Sequence, residues 1–109
     1  MQKLMTKALE NRFKEIGYQG NKKAEDAVVL AHYFIGGSDW YATEYYPEDR
    51  SMFGFARLNN DAVMAELGYF SLAEFEAYNK EQCPWIERDI HWIECSLADI
   101  IRENDKRKG

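Results

Sequence analysis

Two glutamates are the first candidates for chemistry. Glu44 sits in the run Trp40-Tyr41-Ala42-Thr43-Glu44-Tyr45-Tyr46, and Glu66 opens Glu66-Leu67-Gly68-Tyr69-Phe70. Both runs are rich in strand-forming residues, where a carboxylate is unusual. Brought together, two carboxylates raise one proton affinity, as general acid/base work requires, with His32 or Arg57 assisting. Each could equally pair with Arg57 or Arg88 or face water, and structural ion pairs perturb carboxylates as readily as active sites do. No catalytic residue is assigned on this basis; His32, Glu44 and Glu66 remain the candidates. His32, Cys83, His91 and Cys95 offer ligand types suited to zinc but lack paired Cys-x-x-Cys spacing, so neither a metal nor a cofactor is expected. Nucleophile elbows and phosphate-cradling loops are absent: Gly36-Gly37 is followed by neither a lysine nor a helix.

These residues must be positioned by short elements. Met5, Leu9, Phe13 and Ile16 recur on one helical stripe, with Thr6 as a cap and Gly17 as a stop. Residues 18–26 read as a polar loop. Strands are expected over 27–35, 40–46, 52–58 and 63–70, separated by Gly36-Gly37-Ser38, Pro47-Glu48-Asp49-Arg50 and Asn59-Asn60-Asp61. Connections this short force antiparallel neighbours. Ser71-Leu72-Ala73-Glu74 has the form of a capping box before a short helix whose face carries Leu72, Phe75 and Tyr78. Residues 86–95 alternate as a fifth strand, and Ser96 with Asp99 opens a C-terminal helix. The charged residues 102–109 read as a fraying tail. The expected fold is α+β: a four- to five-stranded antiparallel meander with an N-terminal helix, a short helix after strand four and a C-terminal helix.

Turn lengths set the register. A loop at 47–50 places Glu44 opposite Phe53 and Trp40 opposite Arg57; a loop at 59–62 places Phe53 opposite Gly68 and Phe55 opposite Glu66. One face then carries Trp40, Ala42, Glu44, Tyr46, Phe53, Phe55, Arg57, Met64, Glu66 and Phe70. The other face has Tyr41, Thr43, Tyr45, Met52, Gly54, Ala56, Leu58, Ala65, Leu67 and Tyr69, and its small residues suit a covering helix, so it is assigned to the core. A three-residue first loop puts His32 beside Ala42 on the aromatic face; a two-residue loop puts it on the opposite one.

The chain has 109 residues, 46% hydrophobic and 15% aromatic, enough for one domain with a single core. Nineteen Asp and Glu against fourteen Lys and Arg give a net charge of -5, which disfavours direct binding to nucleic acid. Trp40, Tyr46 and Phe53 could stack on bases, but Glu44 and Glu66 beside them would repel phosphate. The opening residues lack a signal-peptide run, and residues 27–37 are too short an apolar stretch for a membrane helix. A cytoplasmic chain with Cys83 and Cys95 as thiols is expected, with no membrane contact.

Several blocks then resemble one family in order. Leu4-Met5-Thr6-Lys7 and Asp26-Ala27-Val28-Val29 match its opening; Trp40-Tyr41-Ala42-Thr43-Glu44-Tyr45, Pro47-Glu48-Asp49 and Phe53-Gly54 its centre; Glu66-Leu67-Gly68-Tyr69-Phe70-Ser71-Leu72 and Glu87-Arg88-Asp89 its later part. The chain thus resembles the uncharacterised bacterial domain-of-unknown-function family 2958 over roughly residues 4–101. Gly36-Gly37-Ser38-Asp39 is shorter than the Trp-rich approach common there. The resemblance implies accessory cargo of plasmids, phages and integrating elements and supplies no catalytic residues. The leading expectation is a non-enzymatic accessory domain that binds a protein partner through Trp40, Tyr46, Phe53, Arg57 and Glu66, since aromatic anchors in a polar surround suit a small interface. The alternatives are a small enzyme built on Glu44 and Glu66, and an anti-defence protein that binds a host nucleic-acid-processing complex.

Overall fold

The computed structural model describes residues 2–109, and in it helices cover both faces of one antiparallel sheet. Helix α1 (Lys7–Ile16) leads to a two-residue strand β1 (Val28–Val29) and then to β2 (Ala31–Ile35), β3 (Ser38–Tyr46), β4 (Ser51–Arg57) and β5 (Glu66–Ser71). Helix α2 (Leu72–Glu81), β6 (Glu87–Arg88), β7 (Cys95–Ser96) and α3 (Leu97–Lys108) follow. The main sheet has the order β5-β4-β3-β2-β6, and β1 pairs with β7 in a separate small ladder. The α+β fold expected from the sequence is the one observed. The fifth strand is shorter than expected: residues 86–95 give the main sheet only Glu87–Arg88, paired with Phe34 and Tyr33, and Cys95 belongs instead to β7 of the small ladder.

The caps are those the sequence announces. Thr6 Oγ1 accepts from the Leu9 amide at 3.1 Å, and Gly17 ends α1 at φ 71°, a conformation that favours glycine. Ser71 and Ser96 accept from the amides of Glu74 and Asp99, both at 3.1 Å. In α2, Leu72 and Phe75 are buried, but Asn79 rather than Tyr78 completes the inner face. Its amide holds the Ile86 backbone through both N–H and C=O, at 2.8 and 2.9 Å.

Two register expectations are corrected. Glu44 does lie opposite Phe53, but Trp40 faces Ala56, and Arg57 faces Asp39. The cause is a bulge between Ala42 and Glu44, which inserts Thr43 and reverses the alternation along β3. Phe53 faces Tyr69 and Phe55 faces Leu67, each one residue from the expected register. Here the loop is longer than expected: Asn59 and Asn60 both take positive φ, and the Asn60 amide bonds back to Gly37. Strand β5 therefore begins at Glu66 instead of residue 63.

Because of the bulge, Trp40, Ala42, Tyr45, Met52 and Phe70 share one face, packed beneath α1 and α2 with Phe13, Leu72 and Phe75. Tyr41 and Phe55 lie on the other, under α3 with Val29, Leu97 and Ile100. The expected single aromatic face is thus divided between two cores. Helix α3 also continues through the stretch read as a tail, because Asn104 is buried and bonded to both Arg57 and the Ala62 carbonyl.

Candidate functional site

The α3 side of the sheet carries two polar constellations, one closed and one open. The closed one begins with the two-residue loop Gly36-Gly37, in which Gly36 takes φ 53°. That loop places His32 opposite Tyr41, where their rings stack at 4.6 Å and 6°. Asp39 accepts from His32 Nε2 at 2.7 Å and, through its other oxygen, from Arg57 Nη2 at 2.9 Å. Asp89 Oδ2 meets His32 Nδ1 at 3.3 Å. Arg57, 1% exposed, also donates to the Tyr41 hydroxyl at 3.2 Å and to Asn104 Oδ1 at 3.1 Å.

This chain of contacts ties β2, β3, β4 and α3 together. Burial pushes the Asp39 carboxyl up, but the bonds and charges of His32 and Arg57 outweigh it and hold Asp39 below the usual range. Burial, then the Asp39 charge, pushes the Tyr41 hydroxyl up. Both His32 nitrogens are occupied by carboxylates, so neither is free to take a proton from a substrate. Among the described residues, no three His, Cys, Asp or Glu side chains form a metal-holding group.

The open constellation surrounds Glu44. The Thr43 bulge turns Glu44 onto the face of Phe53, where the loop after α1 caps it. Glu44 is 5% exposed; Oε2 accepts from the Gln19 amide at 3.2 Å, and Oε1 accepts from the Tyr46 hydroxyl. Burial, then the bond to Glu44, raises the Tyr46 hydroxyl well above its ordinary value. Gln19 is the anchor that sequence reading missed. Buried in a polar loop, it bonds the Val28 amide at 2.7 Å and the Val28 and Thr43 carbonyls at 2.9 and 2.8 Å. Only its position against the uncovered end of β3 distinguishes it.

A cavity of about 250 Å³ opens over Glu44, lined by Phe13, Lys14, Tyr18, Tyr45 and Tyr46. A smaller one of about 140 Å³ lies on its other side, bounded by Lys22, Phe53 and Leu67. Beyond them the sheet ends in a shelf: Tyr69 is 73% exposed, its ring 4.9 Å from Phe53 and 6.5 Å from Tyr46.

Of the residues expected to form one surface, Tyr46 and Phe53 are together on this shelf; Leu67 and Tyr69, expected beneath a helix, join them exposed because the β4–β5 register is shifted by one residue. Trp40 is not with them: it packs on Phe75 at 4.7 Å on the opposite face. Arg57 is enclosed under α3, and Glu66, paired through Ala56 with Trp40, projects from the far face of edge strand β5. Glu44 and Glu66 consequently line no common cavity, and the carboxylate pair is not assembled. Cys83 and Cys95 are free thiols, the first exposed. Among the described residues, no helix is long and apolar enough to cross a membrane.

These features define a small α+β domain with a sheet sandwiched between helices and β5 at an open edge. The family described as "Protein of unknown function (DUF2958)" matches residues 3–104, and the chain belongs to it. Neither a curated protein nor a solved structure shows significant similarity to the chain.

Proposed function

We propose that the chain is a non-enzymatic accessory domain of a bacterial mobile element that acts by binding a protein partner. The mobile-element setting rests on the family resemblance. The binding role rests on one observation: β5 is an open sheet edge, beside which exposed Tyr69 and Leu67 and half-buried Phe53 and Tyr46 form an apolar shelf. Open edges are ordinarily blunted by lysine, proline or a covering element. The β5 sequence Glu66-Leu67-Gly68-Tyr69-Phe70-Ser71 contains neither residue, and its one charge, Glu66, stands at the first position, leaving residues 67–71 uncharged. An extended segment of a partner can therefore add a strand through main-chain bonds, with side chains seated on the shelf. Catalysis finds no comparable support, since the expected carboxylates are on opposite faces and the histidine is fully engaged.

A photo-crosslinking residue placed at position 69, or at exposed position 78 on α2 as control, tests this in cells of the source. The expected result is a discrete adduct at 69 that is absent at 78. Excess unlabelled protein should compete it away, and a folded Leu67→Asp/Tyr69→Ala variant should not. Equal labelling at both sites, or equal competition by that variant, refutes the role.

A further inference from the structure

Glu44 is a buried carboxylate held only by neutral donors. The Tyr46 hydroxyl and the Gln19 amide occupy its two oxygens, and among the described residues no lysine or arginine lies within ion-pair distance of it. A carboxylate taken out of water without a counter-charge is costly, and a cation brought to it would recover part of that cost.

The cavity above it is lined by four aromatic rings: Phe13, Tyr18, Tyr45 and Tyr46. Ring faces carry partial negative charge, so they and the carboxylate favour the same kind of guest. The arrangement repels an anion and favours a cation over a neutral guest, which gains only hydrogen bonds. Lys14 on the rim and Lys22 in the neighbouring cavity are the local cations, and neither is bonded to Glu44. The net charge of -5 adds a general attraction for basic segments.

We propose that this cavity receives the cationic head of a partner's basic side chain, a lysine ammonium or an arginine guanidinium. The inference rests on reading the adjoining shelf as a protein-binding surface. Tyr46 belongs to both, bonded to Glu44 and 6.5 Å from Tyr69, so a partner that covers the shelf from β5 to β3 meets the rim of the pocket.

The test is an NMR titration of the ¹⁵N-labelled protein with n-butylguanidinium, n-butylammonium and the neutral isostere n-butylurea. A guest of this size in such a site is expected to bind with a Kd on the order of 1 mM. Saturable shifts should centre on residues 17–19 and 44–46 with at least one cation, while n-butylurea binds about tenfold more weakly. The tighter of the two cations names the side chain, arginine or lysine. Glu44→Gln keeps an acceptor for Gln19 and should weaken cation binding about tenfold. Tyr18 is 67% exposed, so Tyr18→Ala provides a second variant that does not endanger folding and should also weaken it. Lys14→Gln should strengthen it by removing a competing charge. Equal binding of n-butylurea, or native-like cation binding in both weakened variants, overturns the proposal. Tyr78→Ala, exposed on α2 away from the cavity, should leave cation binding unchanged. If cations fail while crosslinking at position 69 persists, the interaction role stands and only the pocket assignment falls.

Discussion

Replacing Asp39 with alanine removes the acceptor shared by His32 Nε2 and Arg57 Nη2. The buried guanidinium then keeps only Tyr41 and Asn104, both neutral, and its Nε–H already has no partner. Breaking a buried ion pair from one side typically costs about 3–5 kcal/mol, because the remaining charge is stranded. The Asp39 side chain is 17% exposed, so water can reach part of the vacated space, and the lower end of that range applies. For a chain of this length the unfolding entropy is roughly 0.2 kcal/mol/K, so about 3 kcal/mol lowers Tm by about 13–15 °C. Urea unfolding followed by tryptophan fluorescence and by circular dichroism gives the free energy and tests whether the transition is two-state. The double variant Asp39→Ala/Arg57→Met removes the stranded charge and should recover part of the loss. A loss below about 1 kcal/mol at unchanged m-value, or a double variant no more stable than Asp39→Ala, refutes the reasoning.

Three further outcomes follow from the same geometry. Asp39 is held below the usual carboxylate range in the fold, so its contribution is complete above about pH 4 and is lost as pH falls through the folded value. The stability gap between native protein and Asp39→Asn should therefore narrow from pH 7 to pH 3, measured by urea unfolding at each pH. A Cβ at Gly54 would collide with the Tyr41 carbonyl just before the bulge, whereas at Gly68 it meets nothing. Gly54→Ala should cost about 1–3 kcal/mol and Gly68→Ala within about 0.5 kcal/mol, read from paired melting curves. Asn104→Ala leaves Arg57 Nη1 and the Ala62 carbonyl without partners and should cost about 1–3 kcal/mol in chemical unfolding, where a frayed tail would cost nothing.

Local signals were legible in the sequence because they depend on few residues. Thr6, Ser71 and Ser96 cap the helices that their side chains announce, and the 47–50 turn closes where Pro47 and Asp49 put it. What the sequence hid was one inserted residue. Nothing about Thr43 marks it as a bulge, yet it moves Trp40 to the opposite face and leaves Glu44 and Phe53 in their expected pairing. A slip of one residue inverts every side chain beyond it, so the predicted site divided at that point. His32 was undecided for a similar reason, and the two-residue Gly36-Gly37 loop settles its face. Asp89 and Gln19 carry no local signal because their partners lie far along the chain, and Asp39 meets His32 only through the register that the two-residue loop sets.

The open edge of β5 is the feature on which the functional reading depends most. Hydrogen–deuterium exchange of the protein alone, and then with the partner captured at position 69, examines it directly. Edge amides without cross-strand partners exchange fast, and pairing with an added strand slows them. The account predicts slowed exchange across residues 66–71 in the complex. Unchanged exchange there, with protection gained instead on α2 or over residues 85–93, would contradict it.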